Sequence, residues 1–253
     1  MPQISAAGRS LEYAWIEGRE PTLVFLHEGL GSIRQWRDFP EQVARATGCR
    51  ALVYDRYGYG NSDVLKEDKV GTDFMHREAL VFLPEILFQL KIENPMLIGH
   101  SDGASIALIH AGAGYPVRGM AVLAPHVFVE DSGLKSIETI NDTFETSGLA
   151  GRLGKYHRDA RKTFHLWADA WLDPAFRDWN IEEVLPRIKC PVLAIQGEDD
   201  EYGSMAQLDA IARQVGGPCE LLKLPQCGHS PQRDQPDRTL QAIVVFVRGI
   251  RGG

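Results

Sequence analysis

Apolar and polar positions along the chain follow two rhythms. Residues 22–27 (TLVFLH), 50–54 (RALVY), 95–98 (PMLI), 117–123, 191–195 (PVLAI) and 219–224 (CELLKL) are short apolar runs, which read as strands. Residues 11–16 read as an edge strand. Between these runs the spacing turns helical, over 34–47, 72–91, 102–113, 204–215 and 237–248. In the second of these segments Ala79, Leu83, Ile86, Leu87 and Leu90 share one face; in the last, Leu240, Ile243, Val244 and Val247 do. Strand alternating with helix predicts an α/β fold, a mainly parallel sheet with helices on both faces. The rhythm breaks once. From 129 to 188 no buried strand is apparent, and Tyr156, Phe164, Trp167 and Trp171 recur at helical spacing. This predicts a helical insertion at 129–188, set in a core made of residues 1–128 and 189–253.

Composition narrows the function classes. The 253 residues fit one large α/β domain, and 44% hydrophobic residues suffice for a sizeable core. The formal charge of −7 and the lack of a basic run argue against a nucleic-acid partner. No apolar run approaches the ~18 residues of a membrane span. The segment Met1-Pro2-Gln3-Ile4 lacks the basic stretch and apolar run of a signal peptide, so a cytoplasmic location is expected. None of Cys49, Cys190, Cys219 and Cys227 forms a CxxC pair, which excludes a zinc ribbon and reads as reduced, buried thiols. Cys227, two residues before His229, reads as a small packing residue, because nothing in the sequence supplies it with a base of its own. With no metal cluster and no Gly-rich nucleotide loop, no metal and no cofactor are expected.

The chemistry concentrates in Gly99-His100-Ser101-Asp102-Gly103, a G-x-S-x-G sequence between a strand and a helix. That context marks a nucleophile elbow, a tight strained turn that lifts a serine hydroxyl above the sheet edge. A serine hydroxyl needs a base within hydrogen-bond reach. His229, in a loop after the last strand, is the candidate; His100, His110 and His126 fit less well. His100, beside the serine, is expected to point away from the pocket, whereas His126 ends a strand and can line it. The base in turn needs a carboxylate to hold its tautomer. Asp200, three residues after Gly197, is the first choice and Asp199 the reserve; Glu198 is expected to face solvent. An oxyanion needs two backbone N–H donors. The amide of Asp102 and that of Gly29, with Leu30 in reserve, are the expected pair.

With these residues the chain resembles the α/β-hydrolase fold superfamily, in particular its small esterase and carbon–carbon hydrolase-like members. Asp55-Arg56-Tyr57-Gly58-Tyr59-Gly60-Asn61-Ser62 looks like the family's D-x-x-G-x-G-x-S turn, and His27-Glu28-Gly29-Leu30-Gly31 like its H-G-x-x-G oxyanion segment. The resemblance implies the Ser-Asp-His order and a helical cap at the insertion. Two departures stand out: Glu28 replaces the usual glycine, and Asp102 follows the serine. Two carboxylates beside an oxyanion hole would repel its charge, so they are expected to point away or to be neutralised, with Arg56 the candidate for the latter. Leu30, His126, Trp167 and Trp171 are candidate pocket residues. Trp167 and Trp171, with Phe176 and Trp179, either wall that pocket or form the cap's own core. Arg152, Lys155, Arg158, Arg161 and Lys162 read as a solvated helix face. The expected activity is hydrolysis of a small to medium carboxylic ester, a small-molecule acyl substrate. Cleavage of an activated C–C bond, aminopeptidase-like amide hydrolysis and a non-enzymatic ligand receptor are the alternatives.

Overall fold

A computed structural model describes residues 1–252, with side chains described through residue 250. Eight strands form one sheet in the order β1-β2-β4-β3-β5-β6-β7-β8. They are β1 (Gln3–Ala6), β2 (Arg9–Ile16), β3 (Arg19–Leu26), β4 (Cys49–Tyr54), β5 (Met96–His100), β6 (Gly119–Leu123), β7 (Val192–Gly197) and β8 (Cys219–Leu224). β2 runs antiparallel to both β1 and β4; every pairing from β4 to β8 is parallel. The apolar runs exist because the central strands are covered on both faces. Leu23 and Phe25 pack on one side of the sheet, with Val43 of α1 (Phe39–Thr47) and Ile243 of α10 (Pro236–Gly252). Val24 and Leu26 pack on the other, with Ile86 of α3 (Leu83–Gln89), Ile106 of α4 (Asp102–Gly112) and Leu208 of α8 (Ala206–Gln214).

Three expectations need correction. The strand at residues 11–16 is not the edge, because β1 pairs outside it, Ile4 opposite Leu11. β1 has only four residues and alternates exposed with buried, too little pattern to read from sequence. The helix expected over 34–47 is broken: a 3-10 turn, Ile33–Trp36, ends at Arg37 with φ 55°, and α1 starts afresh. Pro40 sits in the first turn of α1, where its missing N–H costs no intrahelical bond. The segment 72–91 is helical but not uniform. α2 (Phe74–Arg77) runs into a π-helical stretch, Glu78–Phe82, before α3. Pro84 at the start of α3 has no N–H for the Leu80 carbonyl, and the Tyr115 hydroxyl donates to that oxygen instead.

Between β6 and β7 the chain forms α5 (Asp131–Asp142), α6 (Leu149–Leu153) and α7 (Ala160–Leu172), then two short 3-10 turns. Among the described residues this stretch adds no strand to the sheet; Phe128 and Asn180 form an isolated bridge. α5 packs on α7, and the Phe144 and Phe164 rings stack at 3.9 Å. The last turn, Glu182–Arg187, packs instead on α4 and α8, with Val184 against Gly112. No helix among the described residues is long and apolar enough to cross a membrane.

Candidate active site

The C-terminal ends of the parallel strands carry the site, as in other open α/β sheets. β5 runs into α4 with Ser101 between them at φ 52°, ψ −120°, a conformation costly for a residue with a side chain. The turn is held because the Ser101 amide donates to the Leu123 carbonyl of β6. It is also tight enough that a Cβ on Gly103 would run into the Leu26 carbonyl of β3. Ser101 is 7% exposed and opens on a cavity of about 300 Å³.

The loop after β8 brings His229 to this serine. The Ser101 hydroxyl lies 2.9 Å from His229 Nε2 and can donate to it. His229 Nδ1–H faces the Asp200 carboxylate at 2.8 and 3.0 Å. Asp200 is itself held, accepting from the Tyr202 amide at 2.9 Å and from Gln196 Nε2 at 3.2 Å. Burial opposes its charge, but the His229 hydrogen bond and charge and the Tyr202 amide outweigh it and keep its carboxyl below the usual range. Asp199 and Glu198 are exposed, and the Asp199 amide donates to the Cys227 carbonyl. Buried Cys227 has its thiol pushed up to about 11 by burial and neighbouring aspartates, so it is no thiolate nucleophile.

In the loop after β3, where an oxyanion donor was expected, Gly29 lies under the Trp167 indole so closely that a Cβ would collide with it. The Asp102 amide opens α4, where helix N–H groups lack intrahelical partners. The two carboxylates of this region are neutralised separately, which corrects the role expected of Arg56. Arg56 Nη2 lies 3.8 Å from Asp102 Oδ2 but meets Glu28 only at its backbone carbonyl, 2.8 Å away. The Glu28 carboxylate pairs with Arg233 Nη2 at 3.2 Å and faces His100 Nδ1 at 3.5 Å. Asp102 also accepts from Trp167 Nε1 at 3.2 Å, and burial raises its pKa against the pull of Arg56 and the indoles.

Leu30, His126, Trp167 and Trp171 all line the cavity at Ser101. The sequence reading left out Ile137, Ile140, Leu149 and Leu153, which form its aliphatic wall, and Tyr202, whose ring lies 4.7 Å from that of His229. Phe176 and Trp179 turn away into the hydrophobic core. Arg152, Lys155, Arg158 and Arg161 are exposed and Lys162 half-buried, and none lines the cavity. His100 does not point away as expected. Its ring packs 5.3 Å from that of His229 and forms part of the cavity wall. Gln196 carried a signal that could have been used, a polar residue completing the buried run PVLAIQ. Among the described residues no three His, Cys, Asp or Glu side chains gather as a metal site.

Comparison with known proteins agrees with this architecture. A model of the alpha/beta hydrolase family matches residues 23–242. The Homo sapiens protein named serine hydrolase BPHL is 30% identical over 187 residues, 71% of this chain and 62% of its own. The match thus spans less than two thirds of that relative's length. The 2-succinyl-6-hydroxy-2,4-cyclohexadiene-1-carboxylate synthase of Salmonella typhimurium is 22% identical over 259 residues, 90% of this chain and 94% of its own. A carboxylesterase structure from the thaumarchaeon Nitrososphaera gargenis superposes with a TM-score of 0.80 at 18% identity, covering 99% of each chain, a likeness of fold. The family model takes in the elbow and the loops that carry Asp200 and His229, and the chain belongs to the alpha/beta hydrolase family.

Proposed function

We propose that this enzyme cleaves a small to medium carboxylic ester through an acyl-enzyme at Ser101, with His229 as base and Asp200 as its orienting acid. The observation that carries the reading is the 2.9 Å approach of the Ser101 hydroxyl to His229 Nε2 at the cavity wall. The Ser101 oxygen bonds to the acyl carbon while its proton passes to Nε2. The amides of Gly29 and Asp102 receive the developing oxyanion. As the tetrahedral species collapses, the C–O bond to the alcohol breaks and the imidazolium returns the proton to the leaving oxygen. Water then repeats the sequence on the acyl-enzyme, releasing the acid and restoring Ser101.

The cavity lining supports an apolar acyl group. Ile137, Ile140, Leu149 and Leu153 offer hydrocarbon, and the Trp167 and Trp171 rings face the same space. Glu28, Gln35 and Arg233 line the same cavity, a polar side suited to a leaving group. Of the two carboxylate sources an aminopeptidase-like site could use for an amine, Glu28 or an acid of the cap, Glu28 is already engaged by Arg233 and His100. The serine-hydrolase name of the human relative is consistent with a serine nucleophile.

The test is a series of p-nitrophenyl esters from acetate to decanoate, given to wild type and to Ser101→Ala. Wild type is expected to prefer one intermediate chain length, and Ser101→Ala to lose ~10⁴-fold or more in kcat. Full turnover by purified Ser101→Ala would overturn the reading.

A further inference from the structure

We propose that His100 and Glu28 are positioning residues, which hold the His229 loop against the oxyanion loop by gripping the His229 backbone and Arg233. The inference rests on the proposed role of His229 as base and adds what fixes its place.

His100 ends β5, one residue before Ser101, and is 1% exposed. Its Nε2 lies 2.7 Å from the carbonyl oxygen of His229. A carbonyl only accepts, so this nitrogen carries the proton and donates it. The other nitrogen, Nδ1, faces Gln232 Nε2 at 3.1 Å and Glu28 Oε2 at 3.5 Å. His229 is therefore held at two points. Asp200 fixes the ring at Nδ1, and His100 fixes the main chain from which the ring hangs.

Glu28 extends this grip to the oxyanion side. It neighbours Gly29, the expected donor, and its carboxylate reaches Arg233 in α9 (Pro231–Asp234) at 3.2 Å. The same Arg233 nitrogen donates to the Gln35 carbonyl at 3.1 Å. Burial opposes the Glu28 charge; a protonated His100 ring, which alone carries an Nδ1–H to donate to Glu28, and the charge of Arg233 pull its carboxyl well below the usual range. Three loops thus meet at one polar cluster: the oxyanion turn through Glu28, the elbow through His100, and the base loop through His229, Gln232 and Arg233. A glycine at position 28, as in the family pattern, would supply no such tie. No hydrogen bond joins the His100 or Glu28 side chain to the Ser101 hydroxyl or to the His229 ring; their polar contacts are with the His229 carbonyl, Gln232 and Arg233. The cluster acts by distance, and a misplacement of about 1 Å at a reacting pair can cost ~100-fold in rate.

The substitutions His100→Gln, His100→Leu and Glu28→Gln separate positioning from packing. Glutamine carries an N–H at nearly the reach of histidine Nε2, whereas leucine fills space and donates nothing. On the p-nitrophenyl ester that wild type turns over best, His100→Leu is expected to lower kcat by ~100-fold with KM within about three-fold of wild type. His100→Gln should recover to within about five-fold of wild type. Glu28→Gln, which weakens the tie without emptying it, should lower kcat by ~10-fold; because Glu28 also lines the cavity, KM can move, but by less than kcat. Equal losses in the glutamine and leucine variants, or losses confined to KM, would overturn the proposal. If His100→Leu does not fold, a wild-type kcat in Glu28→Gln overturns it alone. An inactive Ser101→Ala beside a fully active His100→Leu sinks the positioning role and leaves the nucleophile standing; an active Ser101→Ala sinks the nucleophile instead.

Discussion

Adjacent aspartates in the loop after β7 have opposite fates. Asp200 turns inward to His229 Nδ1 with both carboxylate oxygens and is pinned by Tyr202 and Gln196, while the Asp199 side chain stays in solvent. Asp200→Asn should therefore lower kcat by ~10⁴-fold with little loss of stability, because an amide can hold the imidazole in the wrong tautomer. Asp199→Asn should stay within a few-fold of wild type. Steady-state kinetics of both variants on one ester decides this; a dead Asp199→Asn beside a healthy Asp200→Asn would reverse the assignment. The position after Gly197 pointed to the aspartate that the fold turns toward His229. The partners of Glu28 and Asp102 were not legible, since Arg56 and Arg233 lie equally open in the sequence and only the fold decides which carboxylate each meets.

At the scale of elements, the parallel strands deliver histidines to one edge of the sheet: His27 follows β3, His100 ends β5 and His126 follows β6. His126 is buried against Trp171 and near His229, and burial together with the neighbouring histidine charges pushes it down to about 3 against the pull of Asp200. In the unfolded chain a histidine takes a proton near ~6.5. Below that pH the unfolded state binds a proton that the native state refuses, so this contribution to stability is present above ~6.5 and is lost as pH falls toward about 3. The loss approaches ~1.4 kcal/mol per pH unit. Thermal melts at pH 7.5 and pH 5 should show a smaller drop in Tm for His126→Asn than for wild type; an equal drop would contradict the burial argument. The elements themselves were legible where a strand is covered on both faces, as in β3 and β7. They were not where a single residue redirects the chain: Arg37 splits a helix, Pro84 adjoins a π-helical stretch, and β1 is too short to show its period.

For the whole molecule, one sheet edge collects the Ser101 turn and the loops that carry Asp200 and His229, and the helices of 131–172 roof the space above them. The order Ser-Asp-His could be read because each residue follows a strand that the apolar pattern reveals. The roof's substrate preference could not, since Ile137, Leu149 and Trp171 come together only when α5, α6 and α7 fold over Ser101. The central claim is that Ser101 is the nucleophile, and active-site labelling tests it most directly. Wild type treated with a fluorophosphonate and digested for mass spectrometry should carry one adduct, on the peptide holding Ser101. Ser101→Ala should carry none, and His229→Ala should label far more slowly. An unlabelled wild type, or an adduct on any residue other than Ser101, would contradict the account.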